Sequence, residues 1–238
     1  LASRGYLVVT IDHTFDGLVE FPGGRLVRPV PDGPTTGEAM AATRVADVRF
    51  VLDQLTLLDA GGNPDVEHHA LPAGLAGAFD LGRIGLVGYS AGAPTVASTM
   101  FEDPRVDAGL SLDGPVAGPV VTAGLDRPYL LVDAKASRRT LPDLEAFWSN
   151  LRGWKRDIAL RGAAHLTYSD YEVLIPQAAA LLELTEEQIQ AEIGTVDPRR
   201  AVAVQRAYPK AFFDLHLRRT GHLLDGPSPR FPEVVFIP

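Results

Sequence analysis

Apolar positions along this chain fall into short unbroken runs separated by stretches of helical period. Tyr6-Leu7-Val8-Val9-Thr10-Ile11 is continuous, largely β-branched and too short for a helix, the pattern of a strand buried on both faces in a parallel sheet. Residues 12–37 are rich in Gly and Pro, and Phe21-Pro22-Gly23-Gly24-Arg25 is a turn signal between two short apolar stretches. From Glu38 to about Leu58 the period changes: Ala41, Val45, Val48, Leu52 and Leu55 share one face of an amphipathic helix. After a connector over 59–80, the run Arg83–Gly88 predicts a second strand, followed by a helix through Met100 with Pro94 in its first turn. Val106–Leu112, Tyr129–Val132 and Asp157–Leu160 predict three more strands, with a helix over about 141–151 before the last. The chain after Leu184 reads as helical and ends in a Pro-rich stretch, Gly226–Pro238. Strands alternating with helices predict an α/β fold: a doubly wound, mainly parallel sheet with helices on both faces. Residues 1–238 read as one domain, with 185–238 a helical extension and tail packed on it.

Composition narrows the functions open to such a fold. The 238 residues are 46% hydrophobic and 22% charged, which excludes a disordered chain, and no apolar run reaches the roughly 20 residues of a membrane span. Lys plus Arg number 22 against 30 acidic residues, and the net charge of -8 argues against nucleic acid as a partner. With no cysteine, thiolate chemistry, disulfides and Cys-ligated zinc are excluded. The pair His68-His69 beside Glu67 lacks the i,i+4 spacing of a helical metal site and reads as a solvated loop.

Gly88-Tyr89-Ser90-Ala91-Gly92 is a G-x-S-x-G between a predicted strand and a predicted helix. A serine hydroxyl is a poor nucleophile unless a tight turn exposes it near a base and backbone N–H donors. Here the glycines permit the turn, the following helix adds positive potential, and the Ala91 N–H is placed to stabilise an oxyanion. Such a serine needs a histidine base and an orienting carboxylate, in chain order Ser, acid, His. His165 is the histidine in position, since it follows a strand through the small-residue turn Arg161–Ala164. His13, His68 and His69 precede the serine, and His216 and His222 lie in the tail. For the acid, Asp113 and Asp133 each end a strand at the same sheet edge, and periodicity does not choose between them.

Taken together these residues resemble the α/β-hydrolases, and among them the plasma and isoform II type platelet-activating-factor acetylhydrolases with their bacterial esterase and lipase relatives. The resemblance rests on Gly5–His13 as the strand entering the first active-site loop, and on Gly88–Gly92 as the nucleophile elbow. It rests equally on Leu110–Gly114 as the acid-bearing strand end and Arg161–His165 as the histidine loop. It implies Asp113 as the acid, with Asp133 a structural residue. It also implies that the strand and loop supplying a second oxyanion donor precede Leu1, so that the fold here lacks N-terminal strands. The chain by itself is then expected to be poorly active and unstable, and the longer protein active.

The expected chemistry is acyl transfer to water by Ser90, His165 and Asp113, with Ala91 and Tyr89 at the oxyanion and substrate and no metal or organic cofactor. His13 and Phe15 are expected at the substrate, with Phe21 and Leu26 as further candidates for an apolar acyl pocket. The resemblance implies short-chain or phospholipid-type acyl esters, or small soluble esters, as substrate. The alternatives are a lipase or polyester hydrolase of broader specificity and a non-catalytic binding protein on a hydrolase fold.

Overall fold

A computed structural model describes residues 1–29, 37–135 and 137–238; residues 30–36 of the Gly- and Pro-rich loop and Ala136 lie outside it. The described chain divides into two compact units, Leu1–Arg83 and Ile84–Pro238.

In the first unit, strands β1 (Val19–Phe21) and β2 (Arg25–Val27) pair antiparallel around the turn foreseen at Pro22-Gly23-Gly24. Helix α1 (Gly37–Asp59) buries Val45, Val48 and Leu52, three members of the anticipated face. The expected first strand is a correction. Among the described residues no ladder includes Tyr6–Ile11, and Leu7, Val8 and Val9 are 58%, 50% and 49% exposed. An apolar β-branched run reports what a segment would gain by burial, but a strand exists only where a second backbone completes its hydrogen bonds.

The second unit holds a five-stranded sheet, β3 (Ile84–Tyr89), β4 (Val106–Leu112), β5 (Tyr129–Asp133), β6 (Lys155–Leu160) and β7 (Val234–Phe236), in that spatial order. The first four are parallel, in registers such as Val87↔Leu110, Leu110↔Leu130 and Val132↔Ile158. Parallel neighbours require crossovers, which α2 (Gly92–Glu102), α3 (Val120–Ala123) and α4 (Pro142–Asn150) provide. The strand expected second is therefore the outer one of this sheet. At the other edge, β7 pairs antiparallel with β6 where only a Pro-rich tail was foreseen. A three-residue strand preceded by Pro232 gives no readable period, and prolines are tolerated at a sheet edge.

Two glycines of β3 show that the sheet is covered on both faces. Residues an odd number apart on a strand point to opposite faces. A Cβ on Gly88 would strike the Gly92 backbone and Val96 of α2, whereas one on Gly85 would strike Phe213 and Leu217 of α7 (Pro198–Arg218). Between the layers Leu110, Leu130, Leu131 and Ile158 are essentially inaccessible, and Tyr129 meets Phe147 of α4 edge-on at 5.0 Å. Each such side chain contributes about 1.5–3 kcal/mol by leaving water. The remaining helices, α5 (Tyr171–Ala178) and α6 (Glu186–Ile193), follow a 3₁₀ turn at His165–Tyr168.

Candidate active site

Parallel strands deliver their carboxyl ends to one edge of a sheet, and three of those ends carry the candidate residues. Ser90 follows β3 directly, with its N–H donating to Leu112 O at 2.9 Å and its φ at 53°. That left-handed conformation is uncommon for a residue with a Cβ, and here the sheet on one side and α2 on the other impose it. Asp113 follows β4, also at positive φ (42°), with its N–H donating to Val132 O. His165 stands at the start of the 3₁₀ turn after β6.

The three side chains form one hydrogen-bonded line. Ser90 Oγ lies 2.9 Å from His165 Nε2, and His165 Nδ1 lies 2.6 Å from Asp113 Oδ2. Asp113 Oδ1 accepts the Ala134 N–H at 2.8 Å, so both carboxylate oxygens are engaged. A carboxylate only accepts, which puts the imidazole proton on Nδ1 and leaves Nε2 to accept from the serine hydroxyl. Asp113 is largely covered (13% exposed side chain) while His165 is half open at 50%, the arrangement of a base that meets substrate and an orienter that does not. Helix α2 begins at Gly92, so its positive end lies at the serine turn, with Ala91 as the N-cap residue.

Asp133 has a different setting. It is buried, and its Oδ2 has no hydrogen-bond partner among the described residues. Burial, then the charges of Asp157 and Asp113, push its carboxyl up to about 8 against the opposing Arg138, so it is mostly neutral at pH 7. Its backbone oxygen accepts the Tyr168 hydroxyl at 2.7 Å, which ties the histidine turn to β5.

Other histidines have contacts of their own. His13 pairs with Asp47 at 2.7 Å within the first unit, where Phe15 also lies, at a φ of 74°. His69 bonds Asp65, His222 bonds Asp225, and His216 packs on Trp154 and Phe212, its imidazole pushed down to about 4 by burial. Asp65, Glu67 and His69 offer ligand atoms within 4.8 Å of one another on the surface, so they are the described residues that could hold a cation; His68 is not among them.

Several supporting residues carry no signal in the sequence. Thr167 Oγ1 accepts the Ala164 N–H and donates to Ile193 O, and Gln205 Nε2 donates to Thr167 O, so α6 and α7 brace the histidine turn. Tyr89, expected at the oxyanion or substrate, donates its hydroxyl to the His165 backbone oxygen at 3.0 Å. Gly114 lets the acid loop lie against the nucleophile turn, since a Cβ there would strike Ser90 O and the Ala93 Cβ. Gly114→Ala is accordingly expected to lower stability by about 1–3 kcal/mol and the rate at which a fluorophosphonate probe labels Ser90 by at least tenfold, read by urea denaturation and labelling kinetics. Wild-type values for both would mean that the turn yields without cost.

No protein-family model matches the chain. The chain is similar over its whole length to a probable 1-alkyl-2-acetylglycerophosphocholine esterase of Arthroderma benhamiae, at 28% identity over 253 residues and 60% of that protein's length. Its structure is similar to that of a ferulic acid esterase from Streptomyces cinnamoneus, with a TM-score of 0.77 and 37% identity, covering 95% of this chain and 64% of that one. The fold is thus that of the α/β-hydrolases, and both likenesses are to esterases. The chain spans about three-fifths of the length of these relatives.

Proposed function

We propose that this chain is the catalytic region of a serine carboxylic-ester hydrolase. What carries the reading is the hydrogen-bonded line Ser90–His165–Asp113, with spacings of 2.9 and 2.6 Å, at the carboxyl edge of an α/β-hydrolase sheet. His165 Nε2 takes the Ser90 proton as Oγ bonds to the ester carbonyl carbon, and the carbonyl electron pair moves to oxygen. The Ala91 N–H and the positive end of α2 stabilise that oxyanion. Collapse of the intermediate breaks the C–O bond, and His165 returns the proton to the departing alcohol. Water then repeats the sequence on the acyl-enzyme, releasing the acid and restoring Ser90. Asp113 keeps the proton on Nδ1 and stabilises the imidazolium formed in each half. The residues that act are side chains and backbone, and the scheme calls on no metal or organic cofactor.

The substrate class we favour is short-chain acyl esters, including acetyl esters of phospholipid type, in line with the glycerophosphocholine esterase likeness over the entire chain. A second reading, esters of ferulic acid, draws on the higher identity to the ferulic acid esterase. Among the described residues no helix is long and apolar enough to cross a membrane.

A fluorophosphonate probe should label the protein, with the adduct mapped to Ser90 by mass spectrometry. A p-nitrophenyl ester series should then peak at short acyl chains. An sn-2 acetyl phospholipid and methyl ferulate separate the two substrate readings, and a long-chain optimum would favour a lipase. Absence of any adduct at Ser90 would leave a non-catalytic binding protein as the better account.

A further inference from the structure

Tyr89 is the residue immediately before the nucleophile, and its side chain is turned to the base. Its hydroxyl donates to the His165 backbone oxygen at 3.0 Å, and its ring lies 5.1 Å from the imidazole, tilted by 32°. We propose that Tyr89 is a positioning residue for His165, holding both the backbone and the ring of the base against the strand that carries Ser90. This rests on the serine-hydrolase reading of the same site.

The argument starts from the exposure of the base. With half its surface open, His165 has room to swing toward water, and each alternative rotamer breaks the 2.9 Å contact with Ser90 Oγ. Asp113 restrains Nδ1 alone, through one bond to one atom of the ring. The turn beneath is anchored by side chains at Thr167 and Tyr168, two and three residues further along, and a side-chain bond to the His165 carbonyl adds a restraint at the base itself. Tyr89 supplies that restraint from the nucleophile's own strand. Because Tyr89 and Ser90 are adjacent, the hydroxyl sets the position of His165 relative to the same backbone that sets Oγ. The tilted ring closes one side of the imidazole, so rotation about χ2 meets carbon instead of solvent. Burial and the nearby charge of Asp113 push the phenol up from its ordinary value, so it remains a donor at neutral pH and above. A hydroxyl committed to a backbone carbonyl is not available to hydrogen-bond substrate as donor, which separates this role from substrate recognition.

Tyr89→Phe removes one oxygen and keeps the ring. The expected result is a fall in kcat of about tenfold, since small displacements of a base from Oγ have large effects on rate. KM should stay within about twofold, and the loss should be equal for every ester of a chain-length series. Phosphonylation of Ser90 should slow by the same factor. Tyr89→Leu, which also removes the ring, should lose more. Independently of turnover, the low-field proton NMR signal of the His165 Nδ1–Asp113 bond should be sharp in the wild type. It should broaden through exchange in Tyr89→Phe.

A rise in KM with kcat unchanged would overturn the proposal and make the hydroxyl a substrate contact. Wild-type kinetics together with an unbroadened signal would likewise overturn it. If the wild type neither labels at Ser90 nor hydrolyses esters, the serine-hydrolase reading fails. The NMR comparison then still decides whether Tyr89 orders His165.

Discussion

Ser90→Ala is expected to lower kcat for ester hydrolysis by about a millionfold, to the rate that binding and oxyanion contacts alone can support. The reason is local. In the proposed mechanism the Oγ at 2.9 Å from His165 Nε2 is the atom that bonds to the carbonyl carbon, and among the described residues no other hydroxyl is bonded to that nitrogen. Alanine keeps the Cβ, and with it the positive φ of 53°, so the strain of the turn is unchanged. The His165 side chain is half exposed, so water replaces the lost bond. Stability should therefore stay within about 0.5 kcal/mol of wild type. Activity assays, covalent labelling and thermal denaturation of the same preparation check all three statements. Retention of more than a thousandth of the wild-type rate would remove Ser90 from the nucleophile role.

The second large effect separates the two acids. Asp113→Asn is expected to lower kcat/KM by about 10⁴-fold while leaving the fold intact. The Ala134 N–H donates to Oδ1, so the amide oxygen of the asparagine takes that place and its NH₂ faces His165 Nδ1. Donation to Nδ1 moves the ring proton to Nε2, where it points at Ser90 and cannot receive the serine proton. Asp133→Asn should instead leave activity within a few-fold, because the carboxyl at that position is already mostly neutral at pH 7.

Its effect belongs to stability. The folded protein holds the Asp133 proton to about pH 8, whereas the unfolded chain releases it near 3.8. Between those values the folded state carries one more proton, so the contribution of this group to stability falls as pH rises, by at most about 1.4 kcal/mol per unit, and levels off above 8. Glu172, buried near the histidine turn and pushed up to about 7, works in the same direction over a shorter window. Urea denaturation at pH 5 and pH 8 should show Asp133→Asn gaining on the wild type as pH rises. A difference that does not change with pH would mean that Asp133 is ionised in the fold. Loss of activity on Asp133→Asn with none on Asp113→Asn would exchange their roles.

Some of this was legible from local pattern. The G-x-S-x-G at Gly88–Gly92 was readable because a strand, a turn and a helix N-terminus are set by consecutive residues. The apolar runs that became β3 to β6 were readable because strands buried on both faces are hydrophobic without alternation. His165 stood out by chain order and its small-residue turn. Tyr6–Ile11 carried the same local pattern as those strands and yet joins no ladder among the described residues, since pairing is a property of two segments. Short β7 had no pattern to read and is a strand because β6 supplies the hydrogen bonds.

Taken alone, the sequence determined β3 to β6, the helices α2 and α4 and which serine sits on the elbow, because those depend on neighbours a few residues apart. Local pattern left Asp113 and Asp133 open and the family resemblance pointed to Asp113; the tertiary structure sets Asp113 and not Asp133 against His165. Both end parallel strands one position apart in the sheet, and only the path of the histidine turn, braced by α6 and α7, selects between them. It also decided what Tyr89 and Gly114 touch. A hydroxyl reaching a carbonyl 76 residues away, and a missing Cβ that admits another backbone, are contacts that no stretch of sequence contains.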